Sequence, residues 1–247
     1  VKLPRWLSTV AALGGFGLVW AVAAWLVAKP FLPGPLETLE RLVRLVFGGS
    51  LGLHWWTSAR RVILALIVAF PPAVLLGLAA GLSPRVDAVT RPLLYLLHPV
   101  PKVVFLPLFF LFLGLGEEPK VAVVAFILFS QLAVSARDGA RRLPEGLLGQ
   151  MRALGARRRH LWVDVVGPGV LPELFSALRI AFGTAVAVLF FAESFASTSG
   201  LGWFIIDAWA RVDYLSMNAA ILALAALGVA FLLLVDAAEF LFCPWRR

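Results

Sequence analysis

The sequence has little of the chemistry that marks a metalloprotein, a disulfide scaffold or a hydrolytic enzyme. It holds one cysteine, Cys243, in 247 residues. No disulfide can form within it, and its thiol usage does not report a redox compartment. Its three histidines, His54, His98 and His160, are scattered; with one cysteine they give no metal-ligand spacing. No glycine-rich loop ending in Lys-Ser or Lys-Thr is present, which excludes a P-loop nucleotide site. Asp87, Asp138, Asp164, Asp207, Asp213 and Asp236 fall at the ends of apolar runs or between them. A membrane protease needs its acids, or a Ser/His pair, inside such a run. Few charges sit in the middle of a run and no convincing internal repeat is visible, which disfavours a stand-alone secondary transporter or channel. That class is kept as the alternative.

What the sequence has is apolar length. Hydrophobic residues make up 61% of it, and the mean hydropathy is +0.93. A soluble domain is about 45–50% apolar. No water-soluble fold of this size hides so much apolar surface, so the class is polytopic membrane protein. The net charge of +8 then reports cytoplasmic loops rather than nucleic-acid binding.

The first expected span covers about residues 9–28, with Lys2 and Arg5 before it and Lys29-Pro30 after it. Its apolar run, Val10 to Ala28, is longer than the core of a secretory signal, about 7–15 residues, so a retained helix is expected. Residues 35–58 read as one amphipathic helix at the membrane surface. Leu36, Leu39, Leu42, Val43 and Val46 lie opposite Glu37, Glu40, Arg41 and Arg44, and Trp55 and Trp56 suit the interface. The second span, about 61–82, contains Pro71-Pro72, which predicts a kink, and the small-residue stripe Ala73, Gly77, Gly81, which predicts close helix contact. Residues 81–92 read as a turn. The third span, about 93–115, is interrupted at His98, Pro99, Pro101, Lys102 and Pro107, and broken membrane helices tend to line cavities. Lys102 either snorkels to headgroups or touches substrate. The fourth span, about 120–136, holds Ser130 and Gln131, the fifth, about 173–192, is rich in small residues, and the sixth covers about 215–235. Between the last two, Leu201 to Ala210 is apolar but too short to cross about 30 Å as a helix, so it reads as re-entrant or interfacial.

With both termini inside, thirteen Lys and Arg fall in cytoplasmic segments and seven in outer ones, leaving aside Lys102 and Arg179 within or beside spans. The bias supports that orientation.

The chain is organised around Leu143 to Pro172, the longest water-compatible stretch of its second half. Pro144 and Glu145 suit a helix start. Leu147, Leu148, Met151 and Leu154 then share a face, and Gly155 interrupts the run. A second helical piece, about Arg157 to Val166, presents Leu161, Trp162 and Val165, and Gly167-Pro168-Gly169 is expected to end it. Two short helices meeting at a glycine offer an apolar ridge to a partner's cleft. Arg152, Arg157, Arg158 and Arg159 suit acidic rims of a protein and anionic headgroups equally.

This stretch resembles the cytoplasmic loop motif of ABC importer permeases: Glu-Ala-Ala, three residues, glycine, nine residues, an aliphatic, one residue, Leu-Pro. Gly155, Val165 and Pro168 fall at the glycine, aliphatic and proline positions without a gap. Gly149-Gln150-Met151 stand in place of Glu-Ala-Ala, and Gly167 in place of leucine. The glutamate's contact is then missing unless Glu145 supplies it. Pro99-Val100-Pro101-Lys102, Leu106-Pro107-Leu108, Gly114-Leu115-Gly116, Gly139, Leu178-Arg179, Ala192-Glu193 and Ser199-Gly200-Leu201-Gly202 are similar to the nitrate/sulfonate/taurine branch. The resemblance covers roughly residues 57–235.

The resemblance implies an all-α polytopic fold of the MetI-like type I kind. It would have six transmembrane helices and a cytoplasmic coupling-helix pair. Residues 1–56 would form an N-terminal span and interfacial helix, and 57–247 the permease core, with 143–172 as the coupling element. The implied partners are a second permease copy in a homodimer, two cytosolic ATPases that bind ATP and Mg, an extracytoplasmic binding protein and the lipid bilayer. No nucleic acid and no cofactor of the chain's own are implied. The implied location is the bacterial cytoplasmic membrane. Coupling is placed on Met151, Arg152, Ala153, Leu154, Gly155, Ala156, Arg157, Arg158, Leu161 and Pro168. The translocation path is placed on Pro101, Gln131, Arg179, Gly183, Thr184 and Glu193. The implied solute is a small anion such as a sulfonate, taurine or nitrate, or a vitamin-like heterocycle.

Overall fold

The computed structural model describes residues 5–97, 99–144 and 146–246. It is built of helices: α1 (Arg5–Val27), α2 (Pro35–Phe47), α3 (Ser50–Leu82), α4 (Pro84–Leu97), α5 (Leu106–Leu113, entered through a 3-10 turn, Lys102–Phe105), α6 (Glu118–Arg141), α7 (Leu147–Ala153), α8 (Arg158–His160), α9 (Gly167–Ser194), α10 (Leu201–Ala210) and α11 (Tyr214–Phe242). Four helical stretches are long and apolar enough to cross a membrane: Ser50–Leu82, Glu118–Arg141, Leu161–Ser194 and Tyr214–Phe242. Pro84–Leu97 with Lys102–Leu113, bent by 90°, makes a fifth if counted as one broken span. Within α1, Ala11–Val27 is a shorter apolar stretch. The expected interruption of the third span is therefore present, although His98 itself lies outside the described residues.

Three boundaries differ from expectation, each for a physical reason. Residues 35–58 are not one helix. Gly48 and Gly49, the latter at φ +89°, end α2, and α3 begins at Ser50. α3 then runs without a break through Arg60, Arg61 and Pro71-Pro72. The two arginines do not end it because carboxylates just before α6 (Glu117) and in α9 (Glu193) meet them. Residues 84–92 are helical rather than a turn, with Pro84 in the first turn of α4, where a missing N–H costs nothing. Finally, Gly167-Pro168-Gly169 do not end a helix, because the chain is helical from Arg158 to Ser194.

Two compact units divide the chain: Val1–Ser58 with Thr198–Ala226, and Ala59–Ser197 with Leu227–Arg247. In the first, α2 turns its one fully buried residue, Thr38, inward and leaves Leu36, Leu39, Val43 and Val46 exposed. An apolar face turned away from its own unit suits an interfacial helix. Its polar side is tied down: Arg41 Nε donates to Ser216 Oγ at 2.9 Å and pairs with Asp213 at 3.5 Å. Burial opposes ionisation of Asp213, but hydrogen bonds from the Ser216 hydroxyl and N–H, with Arg41 nearby, hold its carboxyl below the ordinary range. The Gly200 N–H donates to His54 Nδ1 at 3.1 Å, and Trp203 stacks on the His54 ring. These contacts fix the ten-residue α10, which is too short to span, as its sequence implies.

The second unit is built on α6. The stripe Ala73, Gly77, Gly81 packs against it as expected. A Cβ added at Gly77 would stand 2.5 Å from that of Ala136, and one at Gly81 would stand 2.5 Å from that of Ala140. On another side, a Cβ at Gly139 would lie 3.1 Å from Val170 of α9. Small residues let these backbones approach closely, which is how helices gain dispersion contacts in lipid. Phe182 of α9 stacks on Phe231 of α11 at 4.8 Å.

Candidate functional site

The stretch from Leu143 to Pro172 forms a short helix, a turn and the start of a long helix. Gly146, at φ +81°, precedes α7. Helix α7 therefore begins at Leu147 and not at Pro144, while Glu145 and the side chain of Arg158 lie outside the described residues. Gly155, at φ +83°, closes α7. Its N–H donates to Arg152 O at 2.9 Å, and the Ala156 N–H donates to Met151 O at 3.0 Å. This is the paired hydrogen-bond pattern of a Schellman cap, in which glycine meets the left-handed backbone at no steric cost.

Beyond the turn, α8 passes into a π-helical stretch, Leu161–Val166, and then into α9. The Gly167 N–H donates to Trp162 O, five residues back. The wide turn gives the Pro168 ring room that a regular α-turn denies it, so the helix continues. The expected apolar side of this piece divides. Leu161 is buried, Val165 is partly buried and Trp162 is exposed; beside them Val166 is buried, and Val163 is exposed together with Leu154 at the turn. Met151 is partly buried, and Arg152, Ala153 and Arg157 are exposed.

The residues assigned to a pathway fall in different settings. Gly183 and Thr184 lie on an exposed face of α9 with Ile180, Ala187 and Phe191. Ala177, Ala181 and Ala185 are buried on the adjoining side, so the small residues of this span serve two surfaces. Pro101 is exposed. Gln131 is partly buried, and its Oε1 has no hydrogen-bond partner among the described residues. Arg179 divides its guanidinium between Asp236, at 2.7 Å, and Glu239. Glu193 is fully buried and accepts from Arg61 Nη1 at 2.6 Å.

That last contact belongs to a cluster the sequence did not single out. Arg61 is 0% exposed in the side of α3. Its Nε and Nη2 donate to Glu117, at 2.8 and 2.5 Å, from the N-terminal side of α6. Arg60 reaches the same carboxylate at 3.4 Å, and buried Lys120 donates to Gly116 O. The hydrogen bonds from Arg61 outweigh partial burial and hold the Glu117 carboxyl below its ordinary range. A second cluster joins α4 to α6: Asp87 accepts from Arg137 at 2.5 and 3.1 Å and from Arg141 at 2.6 Å. In sequence these charges sit among loop charges or within apolar runs. The available signal was the apolar run that begins directly after Arg60-Arg61 at Val62, with Trp55 and Trp56 just before them.

The model of the family described as "Binding-protein-dependent transport system inner membrane component" matches residues 73–247. The chain belongs to this family. The permease is 33% identical over 221 residues, 87% of it and 79% of the relative, to the taurine transport system permease protein TauC of Escherichia coli (strain K12). It is 29% identical over 196 residues to the putative aliphatic sulfonates transport permease protein SsuC of Bacillus subtilis (strain 168), covering 79% and 68% of the two chains. The formylaminopyrimidine transport permease protein ThiX of Halalkalibacterium halodurans is 26% identical over 232 residues, covering 93% and 92%. The protein is thus a multi-pass permease subunit of a type I ABC importer, in the nitrate/sulfonate/taurine branch. Such a permease works with an ATPase and a solute-binding protein.

Proposed function

We propose that the permease pairs with a second copy of itself to form the path for a small organic anion, taurine or an aliphatic sulfonate. The supporting observation is the 33% identity to a taurine permease over 87% of the chain. ATP and Mg would bind two cytosolic ATPase subunits, since the sequence has no P-loop, and an extracytoplasmic binding protein would deliver the solute. Both termini would be cytoplasmic, as the distribution of Lys and Arg favours.

Residues 143–172 would be the coupling element within a core of residues 57–247. The turn at Gly155 and the exposed Leu154, Trp162 and Val163 suit docking in an ATPase groove. Met151, Arg152, Ala153, Ala156, Arg157, Arg158 and Leu161 would complete that contact. The unbroken helix through Pro168 would carry its movement into α9. Pro101, Gln131, Gly183 and Thr184 would line the path, while the ion-paired Arg179 and Glu193 would hold its walls.

Proteoliposomes containing the permease, its ATPase and its binding protein test this. ATP-dependent uptake of labelled taurine, competed by short alkanesulfonates, is the expected result. A second reading, a vitamin-like heterocycle, rests on the formylaminopyrimidine relative, which matches more of both chains. Uptake of a labelled aminopyrimidine with none of taurine would replace the first reading with the second.

A further inference from the structure

Gly167-Pro168-Gly169 does not end a helix, which leaves Gly169 without the local role its sequence suggests. A residue from the other end of the stretch supplies a different one. A Cβ at Gly169 would run into the tip of the Leu143 side chain and stand 3.7 Å from Leu143 Cγ. Leu143 follows the C-cap of α6, Arg142, and Gly169 lies in the first turn of α9. The two ends of the segment 143–172 therefore touch.

Two further contacts lie at the same place. Arg142 Nη1 donates to Glu173 Oε1 at 2.5 Å, across 31 residues of chain. These two residues immediately flank the segment. A Cβ at Gly139 would lie 3.1 Å from Val170 Cγ1 and 3.3 Å from Glu173 Cβ. The bare backbone of Gly139 thus lets the stem of Glu173 lie against α6, with its carboxylate toward Arg142. Val170 beside it is buried. Gly139, Arg142 and Leu143 on one side meet Gly169, Val170 and Glu173 on the other.

The far end of the segment is different. No residue of α7 is fully buried. Cavities of about 670 and 330 Å³ adjoin it, and Leu148 lines both. Close-packed interiors leave few such voids, so α7 is loosely seated where the base of the segment is held.

The ion pair is exposed, at 69% for Arg142 and 40% for Glu173, and pairs of this kind add little to stability. What the pair fixes is geometry. A displacement of α7 reaches α6 through Leu143 and α9 through Gly169, and helices joined at those points move together.

We propose that Arg142, Leu143, Gly169 and Glu173 form a clasp that stays closed through the transport cycle. Arg142 and Glu173 are its positioning residues, and the segment drives α6 and α9 as one body. The proposal rests on the coupling role given above to residues 143–172.

The test uses the reconstituted importer, with whichever of labelled taurine or labelled aminopyrimidine the unaltered complex takes up. In a Cys243→Ala background, Leu143→Cys with Gly169→Cys lies within disulfide reach. Oxidation should leave ATP-driven uptake at the level of the reduced form. Glu173→Gln and Arg142→Gln should keep the melting midpoint and ATPase co-purification. Each should lower the solute carried per ATP hydrolysed about fivefold, the low end of coupling between sites. Arg142→Glu combined with Glu173→Arg should restore most of that ratio. Oxidation that stops uptake, with reduction restoring it, would overturn the proposal by showing that the base has to open. An unchanged ratio in both neutral variants, or a lowered ratio that the charge exchange leaves where it is, would overturn it as well. Gly155→Val with normal ATPase co-purification would remove the coupling role itself. An unchanged ratio in the clasp variants beside a defective Gly155→Val would remove the clasp alone.

Discussion

Arg61 has no exposed surface, and two carboxylates hold its guanidinium from different directions. A buried ion pair is weak evidence for added stability, because desolvation offsets much of the attraction. Removing one partner is different, since it strands a buried charge. Arg61→Met should therefore cost about 3–5 kcal/mol, read as a fall in melting midpoint in detergent. Arg61→Met combined with Glu193→Leu should recover part of it. Arg179→Ala, at a third-exposed site, should cost at most about 1 kcal/mol. Equal losses at the two arginines would contradict this contrast. Glu117 gives the pH dependence. Its folded-state carboxyl titrates below the ordinary range because Arg61 binds the charged form. Its contribution is complete above the usual glutamate pKa, about 4.3, and is lost as pH falls through the lowered folded value. The melting midpoint should drop on acidification through that window, and Glu117→Gln should lower it at neutral pH while flattening the acid limb.

Among the elements, the α7 turn and α9 carry the sharpest expectations. Gly155 has open space around it but a left-handed backbone. Gly155→Val should cost about 1–3 kcal/mol locally by opposing φ rather than by clashing. The permease should still insert, and ATPase co-purification and transport should fall. Gly155→Asn, which tolerates that backbone, should retain both. Normal co-purification with the valine variant would separate the turn from docking. On α9 the two faces predict opposite phenotypes. Ala181 is 0% exposed, so Ala181→Trp overpacks the bundle and should reduce folded yield. Thr184 is exposed on the adjoining face, so Thr184→Trp should leave yield normal and block uptake. Normal uptake with Thr184→Trp would remove this face from the path.

For the whole molecule, sidedness is the decisive property, because a coupling element has to face the cytosol. Cys243 is buried, and burial raises its thiol pKa, so native labelling should be slow. In intact cells, a membrane-impermeant maleimide should label a cysteine at exposed Glu40 and spare one at exposed Gly149. Permeabilisation should make both reactive. The reverse pattern would invert the topology and place Leu143–Pro172 on the outer side.

Composition alone determined the class, since this fraction of apolar residues has no soluble solution, and the order of short motifs determined the family. Gly155 was legible as a helix break because its local backbone requirement is independent of what packs around it. The same holds for α10, whose length is a local property, and for the stripe Ala73, Gly77, Gly81, whose periodicity shows in the chain. Tertiary structure alone decided which charges are interior. Arg61 read as a loop residue until Glu117 and Glu193, distant in sequence, arrived to neutralise it. It also decided that Gly167-Pro168-Gly169 continues a helix, because a π-helical stretch precedes it. Finally, it divided the small residues of α9 into a packed face and an exposed one. These outcomes depend on partners brought together from far along the chain, and local propensity carries no record of them.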